Sequence, residues 1–156
     1  MKLFRIERTR HVHLALSGQG AALSAGNRWN SEHTRLVYTS ETRSLAVLEI
    51  LVHFNSAQNL PTDRLLLEID VPDELHALHT TPSKLPMDWD IKPPGRSTQR
   101  IGDSFVEAMR APLLKVPSAI VPGEWNWLIN PSHPDARQIR ITAQHPLPFD
   151  SRLQRP

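Results

Sequence analysis

Residues 45–54 read LAVLEILVHF, the longest apolar run in the chain, and a single glutamate, Glu49, lies at its centre. Apolar residues would occupy every face of a helix here, which predicts a helix buried on all sides. An unpaired charge inside such a helix costs several kcal/mol, so Glu49 needs a partner or an opening in the core. Two interpretations follow: a buried glutamate paired with an arginine, or a carboxylate held for catalysis in a cleft of low dielectric.

The flanking residues predict how this helix begins and ends. Ser40 is a suitable N-cap, and Asn55 and Pro61 are expected to close the helix. Residues 35–38 favour a short strand before it. Residues 64–71 alternate apolar and polar side chains after it, which predicts a half-buried strand.

The rest of the chain mixes further strands and helices. Strands are predicted at residues 2–7, 113–116, 118–121 and 138–142, helices at residues 21–25 and 99–110, and irregular structure at residues 76–100. Because no regular βαβ rhythm appears, we expect an α+β fold with a small mixed or antiparallel sheet. No linker or repeat divides the sequence, so residues 1–156 are expected to form one compact domain.

Composition excludes several classes of function. The 156 residues carry a formal net charge of +2, and the basic residues are scattered, which disfavours a dedicated nucleic-acid binder. Because the chain has no cysteine, a disulfide scaffold, a Cys nucleophile and a zinc ribbon are excluded. The histidines form no metal motif, so no metal site is expected. Charged residues interrupt every apolar run, so neither a signal peptide nor a membrane span is expected, and we expect a cytoplasmic protein.

Five polar residues join Glu49 as candidates for a site: Arg28, Tyr38, Ser118, Asn126 and Asn130. Arg28 offers a planar fork of donors that suits phosphate or carboxylate, or it is a solvated turn residue. Tyr38 could face a planar ligand or be half-buried in its strand. No Gly-x-Ser-x-Gly elbow surrounds Ser118, so a serine-hydrolase triad is not expected. Asn126 and Asn130 could each bond a ligand or shape a turn.

Taken together, these segments resemble the RES domain, a family named for its Arg, Glu and Ser positions. The matching segments are residues 4–6, 18–21, 26–31, 37–41, 45–53, 116–122 and 126–134. The family's Arg, Glu and Ser fall on Arg28, Glu49 and Ser118, and its Tyr falls on Tyr38. Asn27 replaces a frequent Gly and Trp127 a common Tyr, whereas residues 76–100 match the family poorly.

The resemblance implies a fold similar to that of the ADP-ribosyltransferase toxins and an activity that degrades NAD. NAD is then the substrate, and no resident cofactor is expected. The resemblance also implies an Xre-type helix-turn-helix antitoxin that blocks the active site, and it allows a homodimer within the antitoxin complex. Neither direct binding of nucleic acid nor membrane association is implied.

The implied reaction breaks the nicotinamide–ribose bond, with water or phosphate as acceptor. Glu49 would stabilise the positive charge that grows on the ribose. Further roles are expected for Arg28 at the diphosphate, Tyr38 at the nicotinamide, Ser118 at the ribose or at Glu49, and Asn126 and Asn130 in the pocket wall. The alternatives are transfer of ADP-ribose to a protein and a non-catalytic module that only binds the antitoxin; an RNA-directed toxin is disfavoured by the modest charge.

Overall fold

The computed structural model describes residues 1–54 and 60–153. The strands are β1 (Lys2–Arg8), β2 (Val37–Ser40), β3 (Arg64–Asp70), β4 (Leu113–Pro117), β5 (Trp125–Ile129) and β6 (Arg140–Pro146). The α-helices are α1 (Gln19–Ala22), α2 (Arg43–Leu51), α3 (Asp73–Ala77) and α4 (Arg96–Ala108), and short 3₁₀ turns cover Thr9–Leu14, Pro134–Gln138 and Ser151–Leu153. The strands form one sheet of order β4-β5-β2-β1-β3-β6, paired antiparallel throughout, which confirms the predicted α+β class.

Both faces of the sheet are covered by apolar side chains, because neighbouring residues of a strand point to opposite faces. On β5, Trp127 and Ile129 join one buried cluster, whereas Leu128 between them joins the other. The first cluster also holds Leu3, Val37, Leu67, Ile69 and Leu113. The second holds Trp29, Leu36, Phe105, Leu114 and Val116 and packs α4 against the sheet. A sheet buried on two faces explains why β3 to β5 are so apolar.

The sheet is split at its centre, between β1 and β2. Among the described residues these strands share one register pair, Phe4 with Ser40. Beside it, Arg5 Nη1 donates a hydrogen bond of 2.9 Å to the carbonyl of Tyr38, and Arg5 Nη2 lies 2.8 Å from Glu7 Oε2. A side chain thus replaces part of the backbone ladder, and a cleft opens at this split.

Strand β2, which precedes helix α2, begins and ends later than the sequence predicts. β2 covers Val37–Ser40, so the assignment of Ser40 as N-cap is wrong. Ser40 remains in the sheet because it pairs with Asn126 of β5. The N-cap is Thr42, whose hydroxyl accepts a 3.0 Å hydrogen bond from the backbone N–H of Leu45.

The central helix is also less buried than its sequence predicts. Leu45 and Ala46 pack inward, but Leu48 is 40% exposed and Val52 is 50% exposed. α2 packs against β1 and β2, and these two apolar side chains lie on its more exposed side. The helix ends at Leu51, well before Pro61, and Asn55 lies outside the described residues.

The segment after β4 departs most from prediction. Residues 118–121 form a turn and not the predicted strand, because the Ser118 hydroxyl accepts hydrogen bonds of 3.1 Å from the backbone N–H groups of both Ile120 and Val121. Gly123 has a φ of 86°, which completes the reversal of the chain. The strand Trp125–Ile129, which the sequence interpretation missed, returns antiparallel to β4.

The remaining predicted elements are present with shifted bounds. The last strand begins at Arg140, because Pro134–Gln138 forms a 3₁₀ turn. The predicted helices at residues 21–25 and 99–110 are Gln19–Ala22 and Arg96–Ala108. No helix in the described part of the chain combines the length and the apolar character needed to cross a membrane.

Candidate active site

A cleft with a volume of about 630 Å³ lies at the split in the sheet. This volume falls within the range of about 300–1,000 Å³ that is usual for small-molecule sites. Four of the sequence candidates line the cleft: Arg28, Tyr38, Glu49 and Asn126. The fold therefore brings together residues that are almost 100 positions apart, as the sequence interpretation required.

Glu49 projects from α2 into this cleft and is partly buried. Its Oε1 accepts hydrogen bonds from the Ser118 hydroxyl, at 2.9 Å, and from the Asn126 side-chain amide. Both partners are neutral, and within residues 1–54 and 60–153 no ion pair involves Glu49. Of the two interpretations of this carboxylate, the opening in the core fits the structure and the arginine pair does not.

Ser118 is 3% exposed, and its hydrogen bonds are directed inward. Because the hydroxyl oxygen accepts from two backbone N–H groups, those of Ile120 and Val121, its proton is free to point at Glu49. Its backbone N–H donates to the carbonyl of Glu124, which closes the turn between β4 and β5. This geometry fits the orienting of Glu49 better than direct contact with a ribose.

Arg28 also lines the cleft and is held by backbone oxygens. Its Nη1 donates to the carbonyls of Trp89, at 2.6 Å, and Ile91, at 3.1 Å. Burial lowers the pKa of the Arg28 guanidinium, and the negative charges of Asp90 and Glu49 oppose that effect. In the described chain, Nε and Nη2 make no hydrogen bond to protein, so these donors can meet an anionic ligand.

Helix α4 fixes the segment that carries Arg28. A Cβ on Gly102 would lie 1.6 Å from the carbonyl oxygen of Trp29, so only glycine allows this close approach. Asp103 of the same helix accepts a 3.0 Å hydrogen bond from the backbone of Ser31. Gln99 donates to the carbonyl of Asn27 at 2.9 Å. These contacts on both sides of Arg28 hold its backbone against a rigid element.

Tyr38 lines the cleft with its ring and turns its hydroxyl into the protein. The hydroxyl donates to Asn30 Oδ1 at 2.7 Å and accepts from the backbone N–H of Trp29 at 3.1 Å. Burial raises the pKa of the Tyr38 phenol above its ordinary value, which keeps the ring neutral. Asn30 is fully buried and was not singled out from the sequence, although it follows Arg28 and Trp29 directly.

The structure does not bring Asn130 into the site, and its assignment to ligand binding is wrong. Asn130 is fully buried, and its amide donates to the carbonyl of Val106 and to Met109 Sδ. Its Oδ1 accepts a hydrogen bond of 3.0 Å from the backbone N–H of Ser132. With no exposed atom, it joins the end of β5 to α4 instead.

Most residues that line the cleft were not predicted as site residues, among them Arg5, Ser40 and Lys92. Ser40 had a detectable signal, because it lies two positions after Tyr38 and therefore on the same face of β2. Lys92 lies in the segment 76–100, which shows no regular pattern and matches the family poorly. Arg5 alternates with Phe4 and Ile6 on β1 and was treated only as part of that strand.

The arrangement suits a ligand with an anionic part and a centre that becomes cationic. Arg5, Arg28 and Lys92 provide positive charge along the cleft, while Glu49 provides the negative charge. One oxygen of Glu49 is fixed by neutral donors, and Oε2 accepts no hydrogen bond from the described protein residues. Within the described ranges no group of three or more His, Asp or Glu side chains is arranged to hold a metal ion.

Fold and cleft together define a small α+β protein with an open cleft that is lined by both positive and negative side chains. The family model for the RES domain matches residues 2–150, and this chain therefore belongs to the RES domain family. The match includes the Arg28, Tyr38, Glu49 and Ser118 positions.

Named relatives cover almost the whole chain. A protein called "Prs ADP-ribosylating toxin" from Sphingobium sp. is 45% identical over 90% of this chain and 87% of its own length. A protein called "Toxin Res" from Photorhabdus laumondii is 39% identical over 98% of this chain and 97% of its own length. Another "Toxin Res", from Pseudomonas putida, is 37% identical over 98% of this chain and 99% of its own length.

A solved structure shares the fold. The crystal structure of the M. tuberculosis MbcT–MbcA toxin–antitoxin complex contains a chain that superposes with a TM-score of 0.72. The superposition covers 94% of this chain and 83% of that chain, at 17% sequence identity. At this identity the similarity confirms the α+β architecture and is not extended to the residues of the site.

Proposed function

We propose that this protein is the toxin of a toxin–antitoxin system and that it breaks the nicotinamide–ribose bond of NAD. The observation that carries the proposal is Glu49, a carboxylate in an open cleft with one oxygen held by Ser118 and Asn126. Its second oxygen is available to a substrate. NAD enters as substrate, and the proposal includes no resident cofactor and places the reaction in the cytoplasm.

The reaction needs a negative charge beside the ribose, and it does not need an acid to protonate the leaving group. When the bond between ribose C1′ and the nicotinamide nitrogen breaks, the electron pair goes to that nitrogen, and nicotinamide leaves neutral. The ribose then carries an oxocarbenium-like positive charge, which a fixed carboxylate stabilises best where water is scarce. An acceptor oxygen finally bonds to C1′ and loses its proton. Glu49 would meet the cationic centre and bond a ribose hydroxyl.

The other cleft residues would bind and orient the dinucleotide. Nε and Nη2 of Arg28 make no hydrogen bond to the described protein residues, so they can donate to a diphosphate. Lys92 lines the same cleft and adds positive charge. The neutral ring of Tyr38 would border the nicotinamide. Because these contacts pre-place the substrate, they contribute to the rate through orientation.

The acceptor is proposed to be water or phosphate, and a protein acceptor is the second candidate. The relative from Sphingobium, 45% identical to this chain, is named an ADP-ribosylating toxin acting on Prs. The two reactions share the bond cleavage and the role of Glu49, and they differ only in what captures the ribosyl cation. A purely antitoxin-binding module is the third candidate; the complete set of Arg28, Tyr38, Glu49 and Asn126 in one cleft speaks against it.

The proposed partner is an Xre-type helix-turn-helix antitoxin that covers the cleft, and a homodimer within that complex is compatible with the proposal. Relatives named "Toxin Res" support the toxin role, as does a fold neighbour solved in a toxin–antitoxin complex. No direct contact with nucleic acid or membrane is proposed.

The test mixes purified protein with NAD and follows free nicotinamide by chromatography. Release that needs no added protein supports water or phosphate as acceptor, and a parallel reaction with phosphate separates these two by product mass. Labelled NAD with cell extract, or with purified Prs, reports transfer to protein. No nicotinamide release in any of these reactions would refute the proposed activity.

A further inference from the structure

The carboxylate of Glu49 is held by a chain of side chains that reaches one residue further than its direct partners. Asn126 Nδ2 donates to Glu49 Oε1, and Asn126 Oδ1 accepts a hydrogen bond of 2.7 Å from the Ser40 hydroxyl. Ser40 and Asn126 are register partners on neighbouring strands β2 and β5. Their side chains therefore lie side by side on the face of the sheet that lines the cleft.

The direction of each hydrogen bond follows from the chemistry of the amide. An ionised carboxylate only accepts, so Asn126 must turn its NH₂ group, its only donor, towards Glu49. Its carbonyl oxygen then faces Ser40, which must donate. Ser40 is 4% exposed, so little water can replace its hydroxyl if it is lost. Without that hydroxyl, the amide oxygen of Asn126 has no hydrogen-bond partner, and the orientation of the amide is no longer fixed.

We propose that Ser40 is a positioning residue for Glu49 and acts through the amide of Asn126. Ser118 orients Glu49 from the other side, and its hydroxyl is itself locked by the N–H groups of Ile120 and Val121. Both donors meet on Oε1, so Oε2 keeps no hydrogen bond to the described protein residues and is left for a ligand in the cleft. The catalytic importance of this arrangement rests on the proposed function, whereas the orientation of the amide does not.

The kinetic test is a double-mutant cycle with NAD as substrate. Ser40→Ala is expected to lower kcat about tenfold to a hundredfold and to leave KM within about twofold, because the carboxylate is displaced but the binding groups remain. Asn126→Ala should lower kcat at least as much. In the Asn126→Ala background, Ser40→Ala should have no further effect on kcat, because its only route to Glu49 is already removed.

Three further variants separate positioning from stability. Ser40→Thr keeps the hydroxyl and should restore most of kcat, and Ser40→Cys supplies a weaker donor of similar size if Ser40→Ala does not fold. Thr98→Val is the matched control, since Thr98 is a fully buried hydroxyl bonded to the carbonyl of Gly95 on α4. It should lower Tm as Ser40→Ala does, with kcat unchanged. Additive effects of Ser40→Ala and Asn126→Ala on kcat would overturn the positioning role.

A second readout does not depend on activity. The side-chain NH₂ resonances of Asn126, followed by NMR in uniformly ¹⁵N-labelled protein, should be separated and slow to exchange in the wild type. Ser40→Ala should bring them closer together and speed their exchange, whereas Thr98→Val should not. If the wild type releases no nicotinamide, the proposed function fails, and these signals still test the hydrogen-bonded chain. Unchanged Asn126 signals in Ser40→Ala would overturn it.

Discussion

The Ser118 hydroxyl donates a hydrogen bond of 2.9 Å to Glu49 Oε1, which joins the turn between β4 and β5 to the last turn of α2. The two residues are 69 positions apart, and only the folded sheet brings them into contact. The bond explains how an apolar helix accommodates a carboxylate: one oxygen is solvated by protein donors, and the other faces an open cleft. Oε1 of Glu49 thus serves the stability of the fold, and Oε2 is left for the proposed chemistry.

Replacing Glu49 by Gln should abolish nicotinamide release, with a loss of about a hundredfold or more in kcat, because the neutral amide cannot stabilise the ribosyl charge. The measurement is nicotinamide release by purified protein, with circular dichroism to show that the fold is kept. Glu41→Gln is the matched control: Glu41 Oε1 accepts from Trp127 Nε1 at 2.8 Å, and a glutamine oxygen preserves that bond. Full activity of Glu49→Gln would refute the role of this carboxylate.

Replacing Ser118 by Ala should reduce kcat about tenfold to a hundredfold without abolishing it, because Glu49 loses one of two donors and keeps its charge. The variant should also be less stable, since the N–H groups of Ile120 and Val121 lose their acceptor. Steady-state kinetics together with thermal unfolding measure both effects. A covalent ADP-ribosyl adduct on Ser118, detected by mass spectrometry, would instead make it a nucleophile.

Replacing Arg28 by Lys should raise KM for NAD about ten- to a hundredfold, with a smaller effect on kcat. A lysine keeps a positive charge but cannot bond the carbonyls of Trp89 and Ile91 and also present a second donor pair to phosphate. Calorimetric titration of NAD into Arg28→Lys combined with Glu49→Gln separates binding from turnover. The exposed Arg10→Lys serves as the control, and an unchanged KM in Arg28→Lys would contradict a role in binding.

The sequence predicted those features of the site that depend on one element. Glu49 was evident because a single acid interrupts a long apolar run, and Tyr38 because it ends a β-prone segment beside that run. Features that depend on how two strands, or a strand and a loop, pack together could not be predicted from the sequence. Ser40 has the composition of an N-cap, and only its register with Asn126 keeps it in the strand. Lys92 enters the cleft through tertiary contacts of an irregular segment.

The two asparagines show the same limit more sharply. Asn126 and Asn130 lie in one short segment with similar neighbours, and the sequence gives no reason to separate them. Alternation does not separate them, because they are four positions apart. Asn126 lies within β5 and lines the cleft, whereas Asn130 lies just beyond the end of the strand, where its amide donates to the carbonyl of Val106 on α4. Strand bounds missed by the sequence interpretation therefore decided which amide belongs to the site.

Replacing Asn130 by Ala should destabilise the protein by about 1–3 kcal/mol, because buried partners, the carbonyl of Val106 and the N–H of Ser132, are left without a hydrogen bond. Urea unfolding measures this loss. KM and kcat for NAD should be unchanged below the unfolding transition, in contrast to Asn126→Ala. A raised KM in folded Asn130→Ala would return this residue to the binding site.

A second carboxylate, Glu68 on β3, connects α2 to the sheet and does not line the cleft. Its side chain is 9% exposed and accepts from Lys2 Nζ at 3.1 Å, from His145 Nε2 at 3.0 Å and from the guanidinium of Arg43. Arg43 is the first residue of α2, the helix that carries Glu49. The hydrogen bond from Lys2, with further contributions from His145 and Arg43, lowers the pKa of Glu68 below its ordinary value of 4.5.

This lowered pKa gives stability a defined dependence on pH. A carboxyl group whose pKa is lower in the folded state contributes its stability above the unfolded pKa and loses it as pH falls through the folded value. Wild-type Tm should therefore fall as pH decreases below about 4.5. Glu68→Gln should lower Tm by a few degrees at pH 7. It should also make the fall of Tm at acid pH shallower, because the amide does not titrate. Glu32→Gln, at an exposed position, should change neither Tm at pH 7 nor its fall at acid pH. An equally steep fall of Tm in Glu68→Gln would show that other carboxylates cause it.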